Sequence, residues 1–133
     1  MPGDFNKDKR IAFWLDSSEK DFKAMQDLYV SGNNHWALFM GHLVLEKLLK
    51  ALFVFNTGNY PPLIHDLRGI MEKAGECELD DEKIELLDSI TRFNISARYD
   101  DYKQSFYHLC TDEFTETWIN HIKALRLWIK SML

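Results

Sequence analysis

Between Trp36 and Phe55 the chain carries apolar side chains around almost the whole circumference of a helix. Trp36, Met40, Leu43, Val44, Leu48, Ala51 and Phe55 fall on one face at three- and four-residue steps, and Leu38, Leu45, Leu49 and Leu52 occupy much of the opposite face. A helix of this kind has no face to give to water, so it must be surrounded by other elements or lie against a second chain. The pattern predicts a helix from near His35 to Phe55, either central to the fold or in contact with a second chain. Thr57-Gly58-Asn59-Tyr60-Pro61-Pro62 ends it, because Gly and two Pro cannot continue a helical ladder. No run of about 18 uninterrupted apolar residues exists, so nothing is expected to span a membrane.

A central helix needs neighbours, and the flanking sequence supplies them. Ile11, Trp14, Leu15, Phe22, Met25 and Tyr29 make one stripe of a first helix, about Lys7 to Val30, closed by Ser31-Gly32-Asn33-Asn34. A short third helix is expected from about Asp66 to Ala74, with Gly75 placed to close it. Asp80 or Asp81 can cap a fourth, striped by Leu86, Ile90, Phe93 and Ala97. After the charged aromatic segment Arg98-Tyr99-Asp100-Asp101-Tyr102 comes a loop, or a turn and a short helix through Ser105-Phe106-Tyr107. Thr111 can cap the last helix, striped by Phe114, Trp118, Ile122, Leu125, Ile129 and Met132, with Asp112 and Glu113 at its positive end. No segment alternates as a strand. The expectation is an all-α fold, an antiparallel up-and-down four-helix bundle with one or two short extra helices, forming one domain over residues 1–133.

Composition agrees and narrows the function. With 46% hydrophobic and 28% charged residues the chain is globular, and six Gly and three Pro are too few for a loop-rich β fold. A formal net charge of −5 argues against coating nucleic acid by bulk charge, while leaving room for a local basic pocket. Cys77 and Cys110 have no metal-ligand spacing and read as free thiols in a reducing compartment. The opening Met1-Pro2-Gly3-Asp4, charged through Arg10, does not resemble a signal peptide, so the expected location is the cytoplasm. Asn94-Ile95-Ser96 fits the glycosylation tripeptide but is discarded for the same reason.

Several polar residues stand out within this frame. Glu46 and Lys50, four apart on the central helix, are either an intrahelical ion pair or a polar pair anchoring a neighbour or lining a pocket; Lys47 reads as a solvated or snorkelling side chain. His65 and Asp66 read first as capping groups, Asp66 accepting a backbone N–H and His65 bonding a loop carbonyl. Arg98, with Tyr99 and Tyr102, is the best candidate for ligand binding, since an Arg fork grips phosphate and Tyr can stack on a base. Arg92 and Lys103 could add positive charge. The competing reading pairs Arg98 with Asp100, Asp101 or a carboxylate of another helix, and packs the Tyr rings on the bundle end. His42 and His121 read as satisfied core or interface residues. No metal site, cofactor motif, Gly-rich phosphate loop or nucleophile elbow is present in the sequence.

Four segments, in order, resemble the HEPN family, named for a nucleotide-binding domain of higher eukaryotes and prokaryotes. Gly32-Asn33-Asn34-His35-Trp36-Ala37 is similar to its turn between the first two helices. Leu45-Glu46-Lys47-Leu48-Leu49-Lys50-Ala51 is similar to its Glu-Lys-x-x-Lys-Ala signature. Ile64-His65-Asp66-Leu67 resembles its His-Asp-Leu element before helix three, and Ala97-Arg98-Tyr99-Asp100 its Arg-Tyr-Pro-Asp element without the Pro. The resemblance implies a four- or five-helix up-and-down bundle, often a homodimer, related to the C-terminal helical bundle of kanamycin nucleotidyltransferase. It also implies a possible partner, since many members are encoded beside a minimal nucleotidyltransferase, and some are ribonuclease toxins of toxin–antitoxin pairs.

Ribonuclease members share an Arg followed, after four to six residues, by a His. Arg10, Arg68, Arg92 and Arg126 have no His at that spacing, and nine residues separate Arg98 from His108. On one straight helix that is about 15 Å of rise, so the two could meet only if the chain folds back between them. Three readings follow: a non-catalytic module binding a nucleotide, RNA or a nucleotidyltransferase; a divergent dimeric ribonuclease using Arg98 and His108; and a purely structural helical dimer. The first is preferred, and the unmatched Arg/His spacing leans against enzyme activity without deciding it.

Overall fold

A computed structural model describes residues 6–75 and 78–133. Among these residues the chain is all helical, with α1 at Lys7–Val30, α2 at Asn34–Thr57, α3 at Leu67–Ala74, α4 at Asp81–Arg98, α5 at Ser105–Leu109 and α6 at Asp112–Lys130. The expected Cys77 thiol lies outside the described residues. None of the described helices is long and apolar enough to cross a membrane.

The helix ends follow the local chemistry. The Asn6 side chain accepts the Lys9 amide, Asp80 that of Lys83 and Thr111 that of Phe114, so three long helices begin on a polar side chain. Gly75 closes α3 at φ 72°, a left-handed φ that a side chain would disfavour. Asp66 precedes α3 but makes no side-chain cap; the Leu67 amide instead donates to Thr91 Oγ1 of α4 at 3.1 Å. The expected capping role of Asp66 is therefore taken by a residue from across the bundle, which the sequence around Asp66 could not reveal.

α2 is the axis of the bundle, with α1, α3, α4, α5 and α6 all packed on it. Leu38, Leu45, Leu49 and Leu52 are buried together with Leu48, Val44 and Ala51, as a helix without a polar face requires. Trp36 and Phe55 reach the surface at its two ends. α1 and α4 run antiparallel to α2, and α6 runs beside it from the same end, giving the up-and-down order. In α4 the buried stripe is Leu87, Ile90, Phe93 and Ala97, with Leu86 only half-buried; in α1 only Met25 of the expected apolar stripe is fully enclosed. α1 contributes a cover more than a core. Phe93 meets Phe106, Phe114 and Trp118 with ring centroids 5.0–6.0 Å apart, joining α4, α5 and α6.

At Gly41 of α2 the side chains of α1 and α6 leave no room for a Cβ. A Cβ there would collide with Ile122 of α6 and sit 3.3 Å from Met25 Sδ of α1. Nearby, Ser18 Oγ of α1 donates to the Val44 carbonyl of α2 at 2.8 Å.

The segment after Arg98 does fold back, through a turn into α5. Asp100 makes that possible: its carboxylate accepts the amides of Asp101, Phe106 and Tyr107, each at 3.0 Å. Asp101 accepts the amides of Lys103 and Ser105 and the Ser105 hydroxyl. Neither acid pairs with Arg98. The amides, that of Phe106 foremost, hold the Asp100 carboxyl below its ordinary value of 3.8. Its contribution is thus fully present above that ordinary value and is lost as pH falls through the lowered one.

Two outcomes follow. Gly41→Leu should destabilise the protein by about 1–3 kcal/mol through overpacking, read as a lower urea midpoint at unchanged slope. Asp100→Ala should abolish slow amide exchange at Phe106 and Tyr107 while leaving α2 amides protected; unchanged exchange at both would show that α5 does not depend on this carboxylate.

Candidate functional site

The end of the bundle where α1 and α4 finish and α2 and α6 begin carries two adjoining clefts. One, of about 580 Å³, is lined by His35, Trp36, Arg98, Asp100, Gln104 and Tyr107, with Ala97 and Asp101. The other, of about 350 Å³, is lined by Asn34, His35, Tyr107, His108, Cys110 and Asp112, with Gly32 and Thr111. His35 and Tyr107 belong to both, their ring centroids 5.3 Å apart, and His108 stacks edge-on to Tyr107 at 5.3 Å. Arg98 and His108 are therefore brought to the same end of the molecule but line different clefts. Among the described residues no group of His, Cys, Asp and Glu is arranged to hold a metal ion.

Arg98 is placed by α4, four residues beyond Asn94. Its Nη2 donates to Asn94 Oδ1 at 2.6 Å and its Nε to the Asn94 carbonyl at 3.3 Å; the guanidinium also lies 5.2 Å from the Tyr99 ring. No carboxylate among the described residues forms an ion pair with it, so the expected alternative of an Arg98 ion pair with Asp100 or Asp101 does not hold. The chain folds those acids onto α5 amides instead.

Behind Arg98 runs a buried polar chain. Asn94 Nδ2 lies 3.0 Å from His42 Nδ1, and His42 Nε2 lies 2.7 Å from the His65 carbonyl. His42 is fully buried, and burial pushes its ring below the ordinary value of 6.5. Glu46 Oε1 lies 3.8 Å from His42 Nδ1 and accepts from His65 Nδ1 at 2.9 Å; Glu46 Oε2 accepts from Lys50 Nζ at 3.1 Å. Lys50 also sits 5.4 Å over the Trp14 ring of α1. The Glu46–Lys50 ion pair exists, but it is enclosed and anchors the loop before α3. His65 bonds the Glu46 carboxylate rather than serving as a simple loop cap, because α2 carries that carboxylate directly beneath the loop. Lys47 is not merely solvated: it pairs with Asp21 of α1 at 2.6 Å.

The remaining candidates stand apart from the clefts. Tyr99 is 71% and Tyr102 91% exposed, and neither lines the Arg98 cleft; Lys103 lies against Tyr102. Arg92 donates to Ser89 on the α4 surface. His121 stacks on Trp118. The aromatic walls come from Trp36, Tyr107 and His35, Gln104 also lines the cleft, and Asn94 holds Arg98 from behind; the sequence alone does not mark these residues as ligand contacts. For His35 and Trp36 the one available signal was their place in the turn before α2; for Asn94 it was the i, i+4 step to Arg98. Burial pushes the His35 ring below its ordinary value, and its Nδ1 is enclosed without a partner. Cys110 is buried and its thiol is pushed up to about 12 by burial, so it stays protonated and unreactive at neutral pH.

The arrangement is an arginine fixed by a buried polar chain at the rim of an aromatic cleft, on a bundle centred on one apolar helix. No curated protein and no solved structure matches the chain. The family model described as the HEPN domain matches residues 11–132. That match takes in the central helix, both clefts and the whole buried polar chain, and the chain belongs to the HEPN family.

Proposed function

We propose that this protein is a non-catalytic HEPN module that binds a nucleotide or an RNA segment in the cleft at Arg98. Family membership supports a nucleotide- or RNA-related module in general terms. The observation that carries the finer reading is the guanidinium of Arg98, which is held on Asn94 and has no carboxylate partner among the described residues. Such a group can give its remaining donors to a phosphate. Trp36 and Tyr107 offer ring faces for a base within the same cleft, and stacking of this kind tolerates any base. Asp100 and Asp101 also line the cleft, and amides of the turn and of α5 offset part of their charge. The net charge of −5 fits a local phosphate grip and not a broad electrostatic footprint. The reading extends to a homodimer acting in the cytoplasm, with a minimal nucleotidyltransferase as the protein partner.

Thermal unfolding of the wild type and Arg98→Ala against mononucleotides and short RNAs tests it. A ligand at a hundredfold excess over its Kd stabilises the folded state by about 2.7 kcal/mol. The wild-type midpoint should rise with at least one of these ligands, and Arg98→Ala should lose the rise while remaining folded. No rise with any of them removes the reading.

A ribonuclease remains the second reading, favoured by one observation: the fold-back at α5 puts His108 beside Tyr107, a ring that the Arg98 cleft also uses. His108 would exchange a proton with the scissile phosphodiester and Arg98 would stabilise the developing charge. His108→Ala, purified identically to the wild type, should then lose cleavage of short RNAs; an unchanged rate sinks this reading.

A further inference from the structure

The polar chain that ends on Arg98 has one consistent direction. A guanidinium can only donate, so the Asn94 side-chain oxygen takes the Arg98 bond, and the Asn94 amide nitrogen is left to donate to His42 Nδ1. That ring nitrogen then carries no proton. The proton is on Nε2, where it donates to the His65 carbonyl. Any other assignment sets two donors or two acceptors face to face in a buried place, at the full cost of leaving them unpaired.

We propose that His42 is a positioning residue for Arg98: its neutral ring, protonated on Nε2 and held by the His65 carbonyl, fixes the Asn94 amide, and the amide aims the guanidinium at an anionic ligand in the cleft. The consequence for binding rests on the reading of that cleft as a nucleotide or RNA site; the ring assignment does not. His42 thus connects the loop before α3 to the Arg98 cleft, through a residue that touches no ligand.

The charged groups around His42 come from three elements. On its own helix, Glu46 lies 3.8 Å from Nδ1 and is itself held by Lys50; the loop before α3 supplies His65, and α4 supplies Arg98. Burial, the His65 ring and Arg98 favour the neutral His42 ring, while the bond to the His65 carbonyl and the Glu46 charge oppose them. As pH falls through its lowered value, Nδ1 gains a proton and faces the Asn94 N–H. The amide must then turn, presenting a donor to Arg98, and the hold on the guanidinium is lost.

The test has two arms. In the first, ligand-free and isotopically labelled protein is followed by nitrogen NMR from about pH 8 downward, through the ordinary His range and on to the acid limit of the folded state. The His42 ring should appear as the Nε2–H form at the neutral end. Rotation about the Arg98 Cζ–Nη2 bond should be slow there and become fast in step with His42 protonation. In Asn94→Asp, which places a carboxylate at Nδ1 and can give it no hydrogen, His42 should protonate at a higher pH than in the wild type. An Nδ1–H form, or Arg98 rotation indifferent to His42 titration, overturns the proposal without any variant being needed.

In the second arm a fluorescent oligouridylate is titrated into wild type and Asn94→Leu. Affinity should fall about tenfold in the variant, the worth of one hydrogen bond to a charged group, and wild-type affinity should fall across the pH step of His42. Equal affinities with a folded variant overturn the proposal. If the wild type binds no oligouridylate, the cleft reading loses support and the positioning claim is decided by the NMR arm alone.

Discussion

The Glu46 carboxylate lies inside the bundle, on the most apolar helix of the chain, and a charge there is tolerable only if both of its oxygens are met. Lys50 meets one from the next turn of α2, and His65 meets the other from the loop before α3. Satisfying Glu46 therefore fixes a loop against the middle of α2. Once the loop is fixed, its own carbonyl at His65 is available to His42, and the remaining nitrogen of that ring is available to α4 through Asn94. Trp14 of α1 closes over Lys50. One buried acid thus orders groups from α1, α2, α4 and the loop leading to α3. Apolar burial supplies most of the stabilisation, but it does not choose a register as sharply as hydrogen bonds that must all be made at once.

The end of the bundle that carries the two clefts is built by a different device. Four helix termini converge there, and the chain between α4 and α6 would otherwise cross it as an unsatisfied loop. Asp100 and Asp101 gather the free amides of the turn and of α5, and α5 then sets Tyr107 against His35 and Phe106 against Phe93. The acids beside Arg98 are used to shape the backbone, and for that reason the guanidinium is left without an ion partner among the described residues. Two clefts result, separated by the His35 and Tyr107 rings. Arg98 is held from within the bundle, whereas His108 is carried on a five-residue helix at its surface. That difference in support suits Arg98 better to a fixed, preorganised contact.

The helices were legible because their causes are local. α1 spans the predicted Lys7 to Val30, and Asp80, Thr111 and Gly75 act where capping chemistry places them. α2 was legible as central because its apolar residues leave no face for water. The site was legible only in part. Arg98 stands out as a candidate from its own chemistry, whereas Trp36, Tyr107 and His35 join the same cleft only because α5 folds back onto the start of α2. Asp66 reads as a cap, and only Thr91, 24 residues after Leu67, shows why it need not be one. Tyr99 and Tyr102 are aromatic neighbours of Arg98 in sequence, yet the turn at Asp100 sends them outward.

By itself the sequence determined where the long helices lie and that the one from near His35 to Phe55 must be covered, by the others or by a second chain. Those properties depend on backbone hydrogen bonding and side-chain periodicity within a few residues. Only the tertiary structure decided what meets the Glu46 carboxylate, which way the His42 ring and the Asn94 amide point, and that Arg98 stands free of Asp100. Each of these is settled by pairing donors with acceptors across elements far apart in the chain, and a pairing exists only once the helices are packed.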